Sequence, residues 1–485
     1  MCAHGLICPA FVRRSKTRPR ICQWRIDGTR LAAILSSAAL HATGAAMIAT
    51  ATASSHRPQL SSFRQFLLAF FWFAFSVHWT AILIVTLPAQ ALLIGGDEVK
   101  GRVLGIVLLA GAFISMVVAP IIGALSDRVR LPLGRRRPWM IGGTLLNVVG
   151  LLGMAYIPRQ GDMSTLIPFI LAFMVVEFAN NVASAPYAAL IPDVVAPEQR
   201  GAASGWMGLM TMVGNALGAV LGLLITVVGG ITGIYWIIIA VMLVGVAVTA
   251  VGVSEPPAPA VAPFTWRGFL RGLWLDPRQY PDFAWVFLTR LLIFMGVYTV
   301  QEFLQFYMKD VIGAPFILFG ARVATLPEEA VSFFLLTLLL GALVSSLTAG
   351  TLSDRLGRKR PVYASSALMG GVAAIFVFYG NFELAVLLGV IFGLGYGAYT
   401  AVDWALATDV LPSMDDYAKD MGIWHIASVL PQVVATPVAG FLLDRFQLIG
   451  RSNGQSNLGY QVIFGVAVLY FMLGTVFVKN IRGVR

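Results

Sequence analysis

Long apolar runs separated by short polar breaks occupy the chain from Phe63 to its end. Twelve runs can be distinguished, and each has at least the roughly 20 residues that a helix needs to cross a membrane. Their limits are 64–94, 102–124, 138–157, 164–190, 202–229, 231–253, 283–310, 331–352, 361–380, 383–410, 421–446 and 459–479. Backbone groups in hydrocarbon must hydrogen-bond within their own segment, so these runs predict helices.

A Pro-rich break divides the runs into two sets of six. The break covers residues 255–263, and an amphipathic segment with basic and aromatic side chains follows it up to Asp282. We therefore expect a disordered or weakly structured basic extension at 1–60 and a six-helix bundle at 61–254. A cytoplasmic linker on the inner membrane surface follows at 255–282, and a second six-helix bundle at 283–485.

The composition excludes a string of soluble domains. The chain is 58% hydrophobic and only 12% charged, whereas soluble domains are about 25% charged. The net charge is +11; part of it lies in the first 60 residues, and many other basic residues cluster in short loops between apolar runs. This clustering predicts positive-inside membrane topology and no binding of nucleic acid. The cysteines have no metal-ligand spacing, and we expect no metal site.

A short charged sequence occurs once in each half of the chain. Gly123-Ala-Leu-Ser-Asp127-Arg128 leads to Gly134-Arg135-Arg136-Arg137-Pro138, and Gly350-Thr-Leu-Ser-Asp354-Arg355 leads to Gly357-Arg358-Lys359-Arg360-Pro361. We call residues 123–138 and 350–361 the first and second hinge loops. Such duplication is typical of secondary transporters. Short basic loops belong on the cytoplasmic side, and an even number of spans places both termini there too.

The hinge loops also predict a gate. The two leading glycines would let helices approach closely. Asp127 and Asp354 would accept hydrogen bonds from a neighbouring helix N-terminus and pair with an arginine. If formed in one state only, such contacts would bias the exchange between two conformations. The candidate gating residues are Gly123, Asp127, Arg128, Arg135, Gly350, Asp354, Arg355 and Arg358. The alternative, that the basic residues only set topology, stays open.

The repeat extends beyond the hinge loops. Asp193 follows the fourth run, 66 residues after Asp127, and Asp409 lies at the end of the tenth run, 55 residues after Asp354. Both halves therefore share one order of elements.

These residues carry a family resemblance. The hinge loops resemble the loop 2–3 signature of the major facilitator superfamily and its echo in loop 8–9. The segment from Gly134 to Trp139, with Phe178-Ala-Asn-Asn181 and Pro186-Tyr-Ala-Ala-Leu190, is similar to the glycoside–pentoside–hexuronide:cation symporters, and within them to the sucrose:proton symporters. The resemblance covers nearly everything after residue 60. It implies an all-α integral membrane protein with twelve transmembrane helices in two pseudo-symmetric six-helix bundles. It also implies a monomer.

Coupling chemistry is expected where ionisable side chains lie inside the apolar runs, because charges there are costly and usually functional. Glu177 lies 13 residues into a run that begins near Ser164, about 20 Å along a helix and thus near mid-membrane. The sucrose-symporter pattern has an intramembrane acid just before Asn-Asn, so the resemblance implies a proton-carrying role for Glu177. Glu302 and Asp403 are further candidates for proton coupling. The alternative for Glu177 is a structural role as a neutral, hydrogen-bonded acid.

Sugars are bound by hydrogen-bonding side chains and by aromatic faces. The candidate substrate-binding residues are Asn180, Asn181, Tyr187, Arg290, Gln301, Trp404, Trp424 and His425, and Trp79, Tyr298, Tyr399 and Gln432 offer the same chemistry. Arg290 could instead balance Glu177 or Asp403. Tyr187 departs from the family pattern, because plant sucrose symporters have an arginine in that stretch that is implicated in substrate binding.

The sequence thus predicts a plasma-membrane transporter that moves a small polar solute, a sugar or disaccharide-like glycoside, by proton-coupled symport and alternating access. H⁺ is the expected coupling ion, with Na⁺ as an alternative, and we expect no cofactor and no partner besides solute and membrane lipid. No nucleotide-binding loop and no catalytic constellation occur, so the chain is not predicted to be an enzyme. The alternatives are a proton-coupled exporter of drugs or amphiphiles and, in another class, a non-transporting membrane sensor.

Overall fold

The structure is a computed structural model that describes residues 59–126, 128, 132–255, 276–410 and 417–482. Twelve long helices follow one another along the chain. They are α1 Ser62–Thr80, α2 Leu87–Ser126, α3 Arg137–Tyr156, α4 Leu166–Val194, α5 Arg200–Leu223, α6 Gly230–Gly252, α7 Pro281–Gln301, α8 Pro327–Leu356, α9 Lys359–Phe378, α10 Phe382–Asp409, α11 Tyr417–Ser452 and α12 Leu458–Phe477. We call α1–α6 the first half and α7–α12 the second half.

The number of membrane crossings agrees with the sequence prediction. Eleven stretches of the described chain are long and apolar enough to cross a membrane, and the first, Ser62–Ser126, has 65 residues. At about 1.5 Å per residue it would measure roughly three times the thickness of a hydrocarbon core. Gly96 interrupts it with φ 60° and ψ −169°, a conformation that glycine adopts readily. This stretch therefore holds two crossings, and the described residues form twelve.

Small departures from the prediction lie in the loops. Helix α5 ends at Leu223 instead of extending to 229, because residues 224–229 form turns that lead to Gly229 and Gly230, both with positive φ. An antiparallel hairpin of β1 Phe316–Leu318 and β2 Ala321–Ala324 follows α7. The predicted all-α membrane fold is confirmed apart from this hairpin. The predicted extension lies outside the described residues except for Gln59 and Leu60, most of the linker lies outside them too, and the domain division stays a prediction.

Two helix pairs join the halves, α2 with α11 and α5 with α8. Small residues allow the close approach: a Cβ added to Gly101 would lie 2.6 Å from the carbonyl oxygen of Gly440, and one added to Gly105 would lie 2.8 Å from the Cα of Pro437. Within the second half, Gly393 of α10 likewise has no room for a Cβ beside Leu338 of α8. Lipid acyl chains are as apolar as the helices, so the hydrophobic effect does not drive helices together within the membrane. Their association depends on close packing of this kind.

Candidate functional site

A buried ion pair inside the second half is centred on Arg290. Arg290 of α7 is only 8% exposed and forms an ion pair with Asp403 of α10. Its Nε and Nη2 atoms donate hydrogen bonds to Ser428 Oγ of α11 at 3.0 and 2.6 Å. The Tyr399 hydroxyl, one turn before Asp403, donates to Asp403 Oδ1 at 3.0 Å. Three helices therefore meet at one charged group.

Two aromatic rings flank the guanidinium of Arg290. Its Cζ atom lies 3.7 Å from the centroid of the Trp424 ring and 4.6 Å from that of Phe294, and such contacts are favourable for a desolvated cation. The ion pair with Asp403 and the bonds to Ser428 offset the cost of removing two charges from water. Of the alternatives predicted for Arg290, the structure therefore shows charge balance with Asp403.

Glu177 is the buried acid of the first half. Its side chain on α4 is 6% exposed. Asn181, one turn later, donates to the backbone carbonyl of Glu177 at 2.8 Å and lies 3.5 Å from its Oε2. The Nδ2 atom of Asn181 also donates a hydrogen bond to Ser115 Oγ of α2 at 3.1 Å. Among the described residues no cation pairs with Glu177, so amide and hydroxyl groups form its polar surroundings.

A second polar cluster of the first half joins three helices. The Nδ2 atom of Asn180 on α4 lies 3.0 Å from Nε2 of His78 on α1 and 3.3 Å from Oδ1 of Asn147 on α3. All three side chains are buried. His78 Nδ1, Asn147 Nδ2 and Asn180 Oδ1 have no hydrogen-bond partner within the described chain. The cluster therefore has hydrogen-bonding capacity to spare.

Glu302 is a buried acid of the second half, at the end of α7. Its Oε2 atom has no hydrogen-bond partner among the residues that the structure describes. Tyr298, one turn earlier, packs its ring against Phe294, the ring that also flanks Arg290.

The end of the molecule away from the hinge loops carries a charge cluster that spans both halves. Lys100 of α2 is 1% exposed and pairs with Asp97, at 3.2 Å, and with Asp310 of the second half. Lys309 lies 2.5 Å from Asp97 and 3.3 Å from Asp310. The Tyr460 hydroxyl of α12 donates to Asp310 at 2.5 Å. We call Asp97, Lys100, Lys309, Asp310 and Tyr460 the far-end cluster.

Asp444 of α11 adds a second contact between the halves at this end. Its carboxylate accepts hydrogen bonds from the backbone N–H groups of Gly101 and Arg102 at 3.0 and 2.7 Å, and from Arg102 Nε at 3.3 Å. These N–H groups lie just after the break at Gly96, where the second crossing begins, and a negative charge is favourable at a helix N-terminus.

The hinge loops contain two matching triads, each within its own half. In each triad an arginine contacts an aspartate and a serine: Arg136 with Asp193 and Ser126, and Arg358 with Asp409 and Ser353. The arginine Nε lies 3.2 Å from the aspartate Oδ2 in the first triad and 3.1 Å in the second. The arginine Nη1 donates to the serine Oγ at 2.5 and 2.7 Å. The sequence repeat is therefore also a repeat of geometry.

The register of the first triad differs from the sequence alignment by one residue. The alignment pairs Arg135 with Arg358, but Arg136 makes the equivalent contacts. The first hinge loop is longer, which shifts the arginine that reaches Asp193. Arg135 also binds Asp193, at 2.6 Å.

The Glu255 carboxylate binds the backbone of the first hinge loop. This carboxylate, directly after α6, accepts hydrogen bonds from the backbone N–H groups of Arg135 and Arg137, both at 2.8 Å, and of Arg136 at 3.0 Å. This is a carboxylate at the N-terminus of α3, a favourable place for negative charge. The sequence predicts such a role for Asp127, which lies outside the described residues.

The remaining gating candidates are less informative. Arg128 donates to the carbonyl of Ala124, and Arg355 is exposed. A Cβ on Gly123 would meet no described atom within 4 Å, and the role of Gly123 in close helix approach stays a prediction. Nothing is described for the side chains of Asp354 and His425 or for the surroundings of Gly350.

Three predicted substrate-binding residues lie apart from the Arg290 cluster. Tyr187 is buried, and its hydroxyl donates to the Leu68 carbonyl at 2.8 Å while its ring stacks on Trp72. This geometry favours a packing role. Gln301 is partly buried next to Glu302, and Trp404 is exposed.

Sequence reasoning missed Ser428, Glu255 and the role of Lys100. Glu255 could have been found as an acid at the end of an apolar run that faces a basic loop. Lys100, at the edge of two runs, reads as an exposed loop residue. Ser428 has no sequence signal, because small hydroxyl residues are common in membrane helices.

Comparisons with known proteins agree with this architecture. The family described as MFS/sugar transport protein has a model that matches residues 98–479. The general alpha-glucoside permease of Schizosaccharomyces pombe is 35% identical over 129 residues, 24% of this chain and 23% of that protein. The sucrose transport protein SUC4 of Arabidopsis thaliana is 30% identical over 129 residues, 24% of this chain and 25% of that protein. The chain thus spans about a quarter of the length of these relatives.

Solved structures show the same fold at low identity. The nucleoside transporter NupG is similar with a TM-score of 0.62 and 15% identity over 86% of this chain and 99% of that one. The peptide transporter POT in complex with sulfate reaches 0.63 and 15% over 88% and 97%. The comparisons place the chain among transport proteins and not enzymes, as the sequence predicts.

Proposed function

Because the chain belongs to the MFS/sugar transport protein family, we propose that it is a secondary active transporter that moves a sugar or disaccharide-like glycoside together with a proton. The observation that carries this proposal is the charge arrangement inside the molecule. The buried Arg290 is neutralised by Asp403, whereas Glu177 and Glu302 are buried without a cationic partner among the described residues. A site with this balance suits a neutral solute and a proton.

The acids supply the reason for proton coupling. A carboxylate at membrane depth is costly without a counter-ion, so Glu177 and Glu302 are natural places for a transported proton. Conformations that open these acids to one side or the other would then load and release the proton by alternating access. Na⁺ coupling is the alternative, since a monovalent cation could neutralise the same acids.

The choice of a sugar rests on the lining and on the relatives. Asn180 and Asn181 offer amide groups in the first half, and Trp424 offers an aromatic face in the second half. The relatives are named for alpha-glucoside and sucrose transport. An exporter of amphiphilic compounds would need a mostly apolar lining, which the polar groups around Glu177 and Arg290 do not favour.

We further propose a plasma-membrane location with the hinge loops and both termini on the cytoplasmic side. The reason is the positive charge of the hinge loops, because short basic loops stay on the cytoplasmic side.

The test is transport into proteoliposomes with an internal pH indicator. Maltose and sucrose are offered to the wild-type protein, to Glu177→Gln, and to the matched control Glu198→Gln, which changes an exposed acid. We expect sugar-dependent proton entry in the wild type and the control. In Glu177→Gln we expect proton entry to vanish while sugar counterflow persists, because exchange of bound sugar needs no net movement of a proton.

Other outcomes would replace the proposal. Sugar uptake that follows a Na⁺ gradient and ignores the pH gradient would change the coupling ion. Proton-driven movement of cationic dyes without any sugar response would identify an exporter. No movement of any solute would favour a non-transporting sensor.

A further inference from the structure

A cleft of about 520 Å³ lies between α2 and α11 at the far end of the molecule. Its volume falls within the range of sites for small ligands. Glu98 and Arg102 line it from the first half, and Arg445, Leu448 and Arg451 line it from the second. None of these residues belongs to the Arg290 cluster or to the surroundings of Glu177. The cleft is therefore separate from the site proposed for the solute and the proton.

Several charged side chains of the cleft have no charged partner in the described part of the chain. The acids Asp97 and Asp444 are already bound, Asp97 by two lysines and Asp444 by the backbone of α2. Glu98, Arg445 and Arg451, by contrast, are exposed and form no ion pair with a described residue. The cleft thus offers a ligand one free negative group and two free positive groups.

The cleft opens on a face of α11 that meets lipid. The segment Ile426–Ser452 is long and apolar enough to cross a membrane. Within it, Phe441 is 55% exposed and Leu448 is 59% exposed. Arg445 lies between them at spacings of four and three residues, which places all three side chains on one face of the helix. Exposed apolar side chains of a membrane span contact acyl chains, so Arg445 lies beside lipid too.

The two arginines lie at the level of the lipid headgroups. Arg445 and Arg451 precede the end of α11 at Ser452 by seven residues and one residue, which are rises of roughly 10 and 2 Å. At the same end of the molecule, the half-exposed Trp236 follows the start of α6 by six residues, about 9 Å. Tryptophan favours the membrane interface, and an arginine at this depth keeps its charge among the headgroups.

We propose that the cleft binds the headgroup of a phospholipid that carries a primary amine, of which phosphatidylethanolamine is the simplest. Arg445 and Arg451 donate hydrogen bonds to the phosphate, because a guanidinium fits phosphate oxygens. The ammonium group of the lipid donates to Glu98, and the acyl chains lie along Phe441 and Leu448. Glu98 belongs to the first half and the arginines to the second, so the bound headgroup joins the two halves at the far end. This lipid site goes beyond the proposed sugar transport and does not depend on it.

The test is native mass spectrometry of the full chain in detergent, titrated with phosphatidylethanolamine, phosphatidylcholine and phosphatidylglycerol that have identical acyl chains. We expect the wild type to bind phosphatidylethanolamine most tightly. Arg445→Gln should weaken this binding about fivefold, the contribution of one basic side chain near charged lipid, whereas Arg445→Lys should retain most of it. Glu98→Gln should abolish the preference for phosphatidylethanolamine over phosphatidylcholine, because choline has no N–H group to donate to the carboxylate.

The controls separate a built site from unspecific attraction. Arg159→Gln removes an exposed arginine at the same end but outside the cleft, and it should leave lipid binding unchanged. Equal binding of the three lipids, or an equal loss in Arg445→Gln and Arg159→Gln, would overturn the proposal. Tighter binding of phosphatidylglycerol would overturn the assignment of an amine headgroup. Soluble glycerophosphoethanolamine that competes as well as the lipid itself would overturn the assignment of a lipid, since acyl chains would then add nothing.

Discussion

The two ends of the molecule are held by different kinds of contact. At the far end, charged groups reach across the halves: Lys100 pairs with Asp310, and Asp444 holds the backbone of Gly101 and Arg102. At the hinge loops, the arginine of each triad contacts an aspartate of its own half. Each triad therefore lies within one half, and the charged contacts that cross between the halves in the described part of the chain come from residues that are not duplicated.

This difference indicates which movement is open to the molecule. Separation of the halves at the hinge loops would leave both triads intact, whereas separation at the far end must withdraw the buried Lys100 from Asp310 and Lys309 from Asp97. The structure is therefore closed at the far end. If the hinge loops face the cytoplasm, as we propose, this is a state closed towards the outside. The far-end cluster is then the group whose contacts must change in each transport cycle.

The largest effect should follow the removal of the Lys100 charge. Lys100→Met leaves Asp97 and Asp310 facing each other with only Lys309 between them. Breaking one partner of a buried ion pair costs about 3 kcal/mol or more, so the closed far end should lose roughly a hundredfold in population. Spin labels at positions 98 and 451, which line one cleft of about 520 Å³ between α2 and α11, should move apart.

Arg102→Met is the matched control for this experiment. Arg102 also contacts an acid of the other half, but its side chain is 49% exposed, and Asp444 keeps its two backbone hydrogen bonds. An exposed ion pair contributes about 0–1 kcal/mol, so the label distance should change little. Equal opening in both variants would mean that burial of Lys100 is irrelevant to closure.

A medium effect is expected where the helices touch most closely. Gly101→Ala would place a Cβ 2.6 Å from the Gly440 carbonyl oxygen and 2.8 Å from the Asp444 carboxylate. Overpacking of this kind costs about 1–3 kcal/mol, and the labels at 98 and 451 should report partial opening. Gly123→Ala, near the other end of α2, meets no atom within 4 Å and should keep the wild-type distance. Opening in Gly123→Ala alone would reverse the comparison.

The fold could be predicted from the sequence because hydrocarbon admits few structures. Each apolar run had to be a helix, and the limits of α3 and α9 agree with prediction to within two residues. The hairpin after α7 was missed because its strands have only three and four residues, too few for a periodic pattern. The end of α5 was missed because residues 224–229 remain apolar while they turn.

The sequence could predict which residues form the site, but not which ion pairs and hydrogen bonds they make with one another. The cost of an intramembrane charge singled out Glu177, Arg290 and Asp403, yet spacing along the chain could not tell which acid Arg290 would meet. That choice depends on how α7, α10 and α11 rotate against one another. Lys100 was missed for the same reason, since its partner Asp310 is 210 residues away and only the packing of the two halves buries it.

The smallest effect should come from the triads, and it sharpens the comparison between the ends. Asp193 binds Arg135 and Arg136 and is 20% exposed, whereas Asp409 binds Arg358 and is 40% exposed. Asp193→Asn should therefore destabilise its half by about 1 kcal/mol and Asp409→Asn by less, which thermal unfolding in detergent can rank. Neither variant should move the labels at 98 and 451, because each triad lies within one half. A label shift in Asp193→Asn would show that the hinge loops and the far end are coupled after all.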